Sequence, residues 1–175
     1  VSKLNEEGVI ENVGNFQKLF FGPGKEHSER LIELQTRFKD AGIDATFTNE
    51  ISTIMWEKFI FISPTATATS FFDCTIGELL IDEEKQHTLL NLIEEVKQLA
   101  KAKHINVDND ITNITLNKLK ALPYEATSSM YRDFKQHKTH TELETLTGYV
   151  IHEGKKLNVP TPTFDLAYAS LKNQK

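Results

Sequence analysis

Read as a string of apolar and polar positions, the chain changes character near residue 50. Before that point, short apolar runs are separated by glycines: Gly8-Val9-Ile10, then Lys18-Leu19-Phe20-Phe21 closed by Gly22-Pro23-Gly24. Such pieces predict short strands and a tight turn. A helix follows, with Ser28 as its cap and Leu31, Ile32, Leu34 and Phe38 on one side, until Gly42 ends it. Ala45-Thr46-Phe47-Thr48 then alternates like a short strand. An isolated sheet of two or three strands would leave an edge exposed and is marginal, so the pattern predicts more sheet upstream.

After Glu50 the period becomes helical. Ile51 to Phe72 is long and apolar with Pro64 in its middle, where a kink or break is expected. Leu89, Leu92, Ile93, Val96, Leu99 and Ala100 form one stripe on an otherwise charged segment, as a helix with a single buried face requires. Ile111 to Leu122 reads as a shorter helix stopped by Pro123, and a further helix runs from Tyr124 to about Gln136. Thr141 and Glu144 have the spacing of a capping box that opens a helix to about Leu157, weakened by Gly148 and Gly154. Pro162 suits the first turn of a last helix carrying Leu166, Tyr168 and Leu171. The boundary falls between Asn49 and Ser52, which makes residues 1–50 a β-α-β piece and residues 51–175 an all-α domain. The expected fold class is mainly α.

Composition narrows the function classes. With 175 residues and 39% hydrophobic, the chain can bury one good core. The net charge of −5 comes from interspersed acids and bases, which leaves no footprint for nucleic acid. The run from Phe59 to Ile62 is too short to span a bilayer, and no basic-then-apolar leader opens the chain. The single cysteine, Cys74, cannot form an internal disulfide, which fits a reducing cytoplasm. The opening at Val1, in what reads as mid-domain sequence, suggests a fragment of a longer protein.

The six histidines show neither His-x-x-x-His nor any Cys-x-x-Cys companion spacing, so no metal site is expected. The glycines never form Gly-x-Gly-x-x-Gly or a phosphate-binding loop. Any dinucleotide would need its pyrophosphate cradle elsewhere. What stands out instead is an ordered set of polar motifs: Trp56-x-Lys58, Gly77-Glu78-Leu79, Ser128-Ser129-Met130-x-x-Asp133, Thr141-Glu142-Leu143-Glu144-x-x-x-Gly148 and the closing Val159-Pro160-Thr161-Pro162.

In that order and at those separations, the motifs resemble the ketopantoate reductase (2-dehydropantoate 2-reductase) family over essentially the whole chain. The resemblance implies a helical C-terminal domain of the 6-phosphogluconate-dehydrogenase-like type, preceded by a small β-α-β remnant of a Rossmann domain. It implies NADPH-dependent reduction of a 2-keto acid, 2-dehydropantoate or a relative, to the 2-hydroxy acid, and a place in pantothenate biosynthesis if the family substrate applies. It also implies a cytoplasmic enzyme that forms a homodimer through its helical domain, with no nucleic-acid or membrane partner. Carried over residue by residue, it gives Lys58 the role of proton donor to the developing alkoxide. Glu142 takes the role of the acid that holds the substrate hydroxyl and organises the lysine, with a contact to the cofactor open to it. Ser129, with Ser128 beside it, takes the role of substrate ligand. Most cofactor-binding residues, including those that would choose between NADPH and NADH, would lie upstream.

Three positions depart from the family pattern. Asparagines expected four and eight residues after the lysine are replaced by Ile62 and Ala66, and one just before Gly-Glu-Leu by Ile76. An amide both donates and accepts hydrogen bonds, whereas these side chains do neither. Ser63, Thr65, Thr67 and Thr69 are the nearby residues that could compensate. The helix proline is displaced from the family's place at Thr67 to Pro64, and the loop from Asp133 to Glu142 is one residue longer than the family's. Plainer roles stay open for each residue. Lys58 could be a surface lysine lying along its helix, Glu142 an acid favourable to a helix dipole, and Trp56 part of the core. Arg132, Lys135, Lys138, His137 and His140 could form a solvated loop or hold a phosphate. A non-catalytic family member, an all-α dimerisation module, or a reductase for a more apolar 2-keto acid are the alternative functions.

Overall fold

The computed structural model describes residues 2–4, 8–12, 18–23 and 29–174. The expected cap Ser28 and the turn residue Gly24 lie outside them. The chain divides into two compact units, Val1–Ser52 and Thr53–Lys175.

In the first unit, β1 (Ser2–Leu4) pairs antiparallel with β2 (Ile10–Asn12), and β3 (Leu19–Phe21) pairs parallel with β4 (Ala45–Phe47). The crossover between the parallel strands is α1 (Glu29–Asp40), so these three elements form a βαβ unit. Phe21 sets the packing: its ring meets Phe38 edge-on at 5.8 Å and Phe47 at 6.0 Å. The Gln35 side-chain carbonyl accepts the Phe47 amide at 2.5 Å, tying α1 to β4. Gly42, at φ 75°, supplies the left-handed residue that lets the chain leave α1. Of the apolar side expected for α1, Ile32 and Leu34 stay exposed, because the two-stranded sheet is covered from the Phe38 end.

The second unit is helical throughout: α2 (Ile51–Phe71, beginning in the preceding unit), α3 (Ile76–Ile81), α4 (Glu83–Ala102), α5 (Ile111–Lys120), α6 (Ser129–Lys135), α7 (Tyr149–Leu157) and α8 (Pro162–Lys172). The α4 stripe is buried to the last residue, and it packs against α3, α5, α7 and α8 around Ile60, Leu79 and Phe164. Each such leucine or isoleucine contributes about 1.5–3 kcal/mol, which makes α4 the centre of the domain. Its Glu95, 9% exposed, accepts the Thr163 and Phe164 amides at 2.8 and 3.1 Å and so caps α8 from a distance. In α8, Phe164, Ala167 and Leu171 face inward, whereas Leu166, expected on that stripe, is exposed.

Three expectations are corrected. Pro64 does not break α2, which runs unbroken through it. The proline removes one amide from its turn, but in that turn the Thr65 hydroxyl donates to the Phe61 carbonyl at 2.6 Å, and Thr69 does the same to Thr65 at 2.8 Å. The helix from Tyr124 starts only at Ser129, because the carbonyls of Tyr124 and Ala126 are spent on the Gly77 and Ile76 amides at the start of α3. Gly77 permits this contact: a Cβ there would lie 2.1 Å from the Tyr124 ring. Finally, Thr141 and Glu144 do not form the capping box. The Thr141 hydroxyl accepts from Leu143, Glu144 accepts from Tyr168, and a π-type turn (Glu144–Gly148) leads into α7. The box forms instead at Thr75 and Glu78, opening α3.

Candidate functional site

Segments far apart in sequence line one hollow of about 220 Å³ in the helical unit. From α2 come Phe61, Ile62, Thr65 and Ala66; from α3, Ile76; from the stretch after α5, Leu122. Thr127, Ser128, Ser129, Glu142 and Leu146 complete the lining. Ser128 and Ser129 are adjacent but differ in use. Ser128 is the N-cap of α6: its hydroxyl accepts the Tyr131 amide at 3.0 Å and pairs with the Thr69 hydroxyl at 2.9 Å, fastening α6 to α2. Ser129, one position on, donates to the Glu142 carboxylate at 2.5 Å. Glu142 is fixed by its main chain, whose carbonyl accepts the Leu146 amide at 2.9 Å at the entry to the π-type turn. Both Ser129 and Glu142 are open to solvent.

The structure therefore brings together Ser128, Ser129 and Glu142 with Ile62, Ala66 and Ile76 around one hollow. Lys58 is not among the lining residues. It is exposed on α2, three and four positions before Phe61 and Ile62, and so belongs to the same helical stripe one turn, about 6 Å, nearer the N-terminus. The residues that sequence reasoning did not single out are Phe61, Leu122, Thr127 and Leu146. Only the helical spacing of Phe61 from Lys58 signalled any of them.

The compensating hydroxyls turn elsewhere. Ser63 donates to the Leu146 carbonyl at 3.1 Å, Thr67 pairs with Thr147 at 2.8 Å, and Thr69 is held by Thr65 and Ser128. Thr65 does line the hollow, but its proton is committed to Phe61. The basic loop is also satisfied internally. Arg132 donates to the Thr127 carbonyl at 3.0 Å and hydroxyl at 3.2 Å; Lys135 pairs with Asp73 and Lys138 with Asp133, each at 2.7 Å. The Asp73 hydrogen bond raises the Lys135 pKa. Burial pushes the Cys74 thiol up to about 11, far from the thiolate a nucleophile needs.

Other hollows among the described residues are less suited to chemistry. One, about 770 Å³, includes Glu95, whose carboxylate is already spent on α8. Another, about 260 Å³, is aromatic: Trp56 meets Phe59 edge-on at 5.6 Å, and Phe59 meets Tyr149 at 5.4 Å. Trp56 is thus a packing residue, half-buried against the core. Among the described residues no cluster of His, Cys, Asp and Glu could hold a metal, and no helix is long and apolar enough to cross a membrane.

Of the nicotinamide reaction that the resemblance implies, the substrate end would have one carboxylate and four hydroxyls beside an apolar wall in this hollow. The phosphate end has no cradle among the described residues. Pro23 has no amide to donate, and the Thr48 carbonyl fills the space over Gly22. No residue of this chain is assigned to the dinucleotide phosphates.

The family described as ketopantoate reductase PanE/ApbA, C terminal, matches residues 50–175. An uncharacterized oxidoreductase, YkpB of Bacillus subtilis (strain 168), is 27% identical over 171 residues, covering 97% of this chain and 56% of its own length. The crystal structure of 2-dehydropantoate 2-reductase from Porphyromonas gingivalis W83 is 30% identical, with a TM-score of 0.77 over 98% of this chain and 52% of that one. A D-mandelate dehydrogenase solved with NADH and anilino(oxo)acetate shares the fold at a TM-score of 0.84 and 17% identity, over 99% of this chain and 57% of its own. The chain thus spans about half the length of the relatives it matches.

Proposed function

The chain belongs to the ketopantoate reductase family, as its C-terminal helical domain following a small β-α remnant, and from that membership we propose that it is the substrate half of a nicotinamide-dependent reductase of 2-keto acids. The observation that carries the reading is the Ser129–Glu142 hydrogen bond in the lining of a hollow that also takes in the α2 stripe begun by Lys58. The relatives support an oxidoreductase: one is a 2-dehydropantoate 2-reductase, and another of the same fold was solved with NADH. We take NADPH as the cofactor from the family's own pattern.

The reduction adds a hydride to the keto carbon and a proton to its oxygen, giving the 2-hydroxy acid. A bound nicotinamide supplies the hydride. The remaining work falls to this chain. The Lys58 ammonium stabilises charge growing on the carbonyl oxygen and delivers its proton there. Glu142, held by Ser129, accepts from the new hydroxyl and orients the lysine, and the Ser129 oxygen remains able to accept from substrate. Ser128 keeps α6 seated so that this pair stays in register with α2.

The test is NADPH consumption by the full-length protein with a panel of 2-keto acids, wild type against Lys58→Ala. Turnover that falls at least about 100-fold in the variant supports the assignment. Equal rates reject the role given to Lys58, and no turnover of any keto acid by the wild type rejects the reading.

A further inference from the structure

The lining of the hollow divides unevenly between polar and apolar groups. Its polar side chains are Thr65, the run Thr127-Ser128-Ser129 and Glu142. The rest of the wall is Phe61, Ile62, Ala66, Ile76, Leu122 and Leu146. The hydroxyls of α2 do not relieve this. Thr65 gives its proton to the Phe61 carbonyl, while Ser63 and Thr67 are bonded to the Leu146 carbonyl and to Thr147. A keto acid whose reacting carbonyl lies beside Ser129 and Glu142 meets mostly carbon along the rest of the wall.

Resting on the reductase reading above, we propose that the site selects 2-keto acids with a small apolar side chain, branched aliphatic or a single ring, over those with a side-chain hydroxyl. Ile62 and Ala66 are the specificity-determining residues. The hollow of about 220 Å³ suits so small a group; drug-sized ligands occupy pockets of roughly 300 Å³ and more. A hydroxyl pressed against Ile62 and Ala66 gives up water and meets no donor or acceptor on those two side chains, and α2 adds only the Thr65 oxygen, as an acceptor, to the lining. An apolar pocket of this kind discriminates against an added hydroxyl by up to about 100-fold.

A matched pair of substrates isolates the effect. Trimethylpyruvate has the skeleton of 2-dehydropantoate without its terminal hydroxyl. With the full-length protein and NADPH, kcat/KM for trimethylpyruvate should exceed that for 2-dehydropantoate by at least about tenfold. The keto acid of leucine should also be reduced. Equal values, or a preference for 2-dehydropantoate, would overturn the proposal while leaving the reductase reading intact. Failure to reduce any of these acids, or phenylglyoxylate, would remove both. Ile62→Asn and Ala66→Asn should narrow the ratio, and Ile62→Ala should preserve it. A ratio unmoved in a folded Ile62→Asn variant would overturn the assignment to α2. Ile62 is only half-buried, so a polar residue is tolerated there, and the wild-type comparison stands without the variants.

Discussion

Glu95 and Glu142 carry the same carboxylate in the same helical domain, but their surroundings divide their roles. Glu95 is buried on α4 and spends its two oxygens on two backbone amides at the start of α8. Glu142 is exposed, and among the described residues its carboxylate receives one hydrogen bond, from the Ser129 hydroxyl, beside a hollow. A carboxylate saturated by the backbone holds a fold together. One with acceptor capacity left over, facing a cavity, can act on a ligand. The adjacent serines repeat the contrast, with Ser128 spent on a cap and Ser129 aimed at Glu142.

The sharpest way to break this comparison is to remove each carboxylate in turn. Glu142→Gln should lower kcat with a 2-keto acid by about 100-fold or more. Its Tm should stay within about 2 °C of wild type, because an exposed substitution moves stability little. A thermal scan beside the NADPH assay reads both. Glu95→Ala should do the reverse, destabilising the domain by about 3 kcal/mol in a denaturant titration, as two amides lose a charged acceptor. Activity per folded molecule should persist at low temperature. If Glu95→Ala abolished turnover without loss of stability, the division of roles would be wrong.

The serine pair gives a smaller effect of the same form. Ser128→Ala should cost about 1 kcal/mol of stability through the lost cap. Ser129→Ala should leave stability unchanged and reduce kcat/KM by roughly tenfold, as Glu142 loses the donor that orients it. Exchanged phenotypes would show that the register of α6 has been misassigned.

What could be read from the sequence was whatever depends on neighbours within a few residues. The α4 stripe, the Gly42 stop and the proline opening α8 are local and period-bound, and the structure reproduces them. The ordered motifs likewise led to Ser128, Ser129 and Glu142, which do line one hollow. Several of the failures involve partners remote in the chain. Glu95 looked like one more acid on a charged helix because the amides it caps lie 68 and 69 residues away. Tyr124 to Ser128 has helical composition, but its carbonyls are drawn off by α3, more than forty residues earlier. Thr141 and Glu144 have capping-box spacing, yet Tyr168 outcompetes the local partner for Glu144, and the equally spaced Thr75 and Glu78 form the box instead. Spacing alone could not rank those two sites. Only the packing of α8 against the π-type turn does.

A third carboxylate sharpens the comparison by falling between the other two. Glu153 on α7 is buried like Glu95 but is bonded to side chains: to Lys103, with Lys156 and His152 each 3.5 Å from its other oxygen. The Lys103 hydrogen bond lowers the Glu153 pKa below its ordinary 4.5, and the same bond raises that of Lys103 above 10.5. A depressed acid contributes stability that is fully present above pH 4.5 and is lost as the pH falls through the lower folded value. A raised base contributes stability that is present below pH 10.5 and is lost above it. The pair should therefore help folding across neutral pH and fail at both ends. In urea titrations, the advantage of wild type over Glu153→Gln should be level from pH 6 to 8 and shrink steadily below about pH 4.5. An advantage over Glu153→Gln that stayed constant down to pH 3 would mean that the Lys103 bond does not shift this acid, and Glu153 would then be a packing residue that happens to carry a charge.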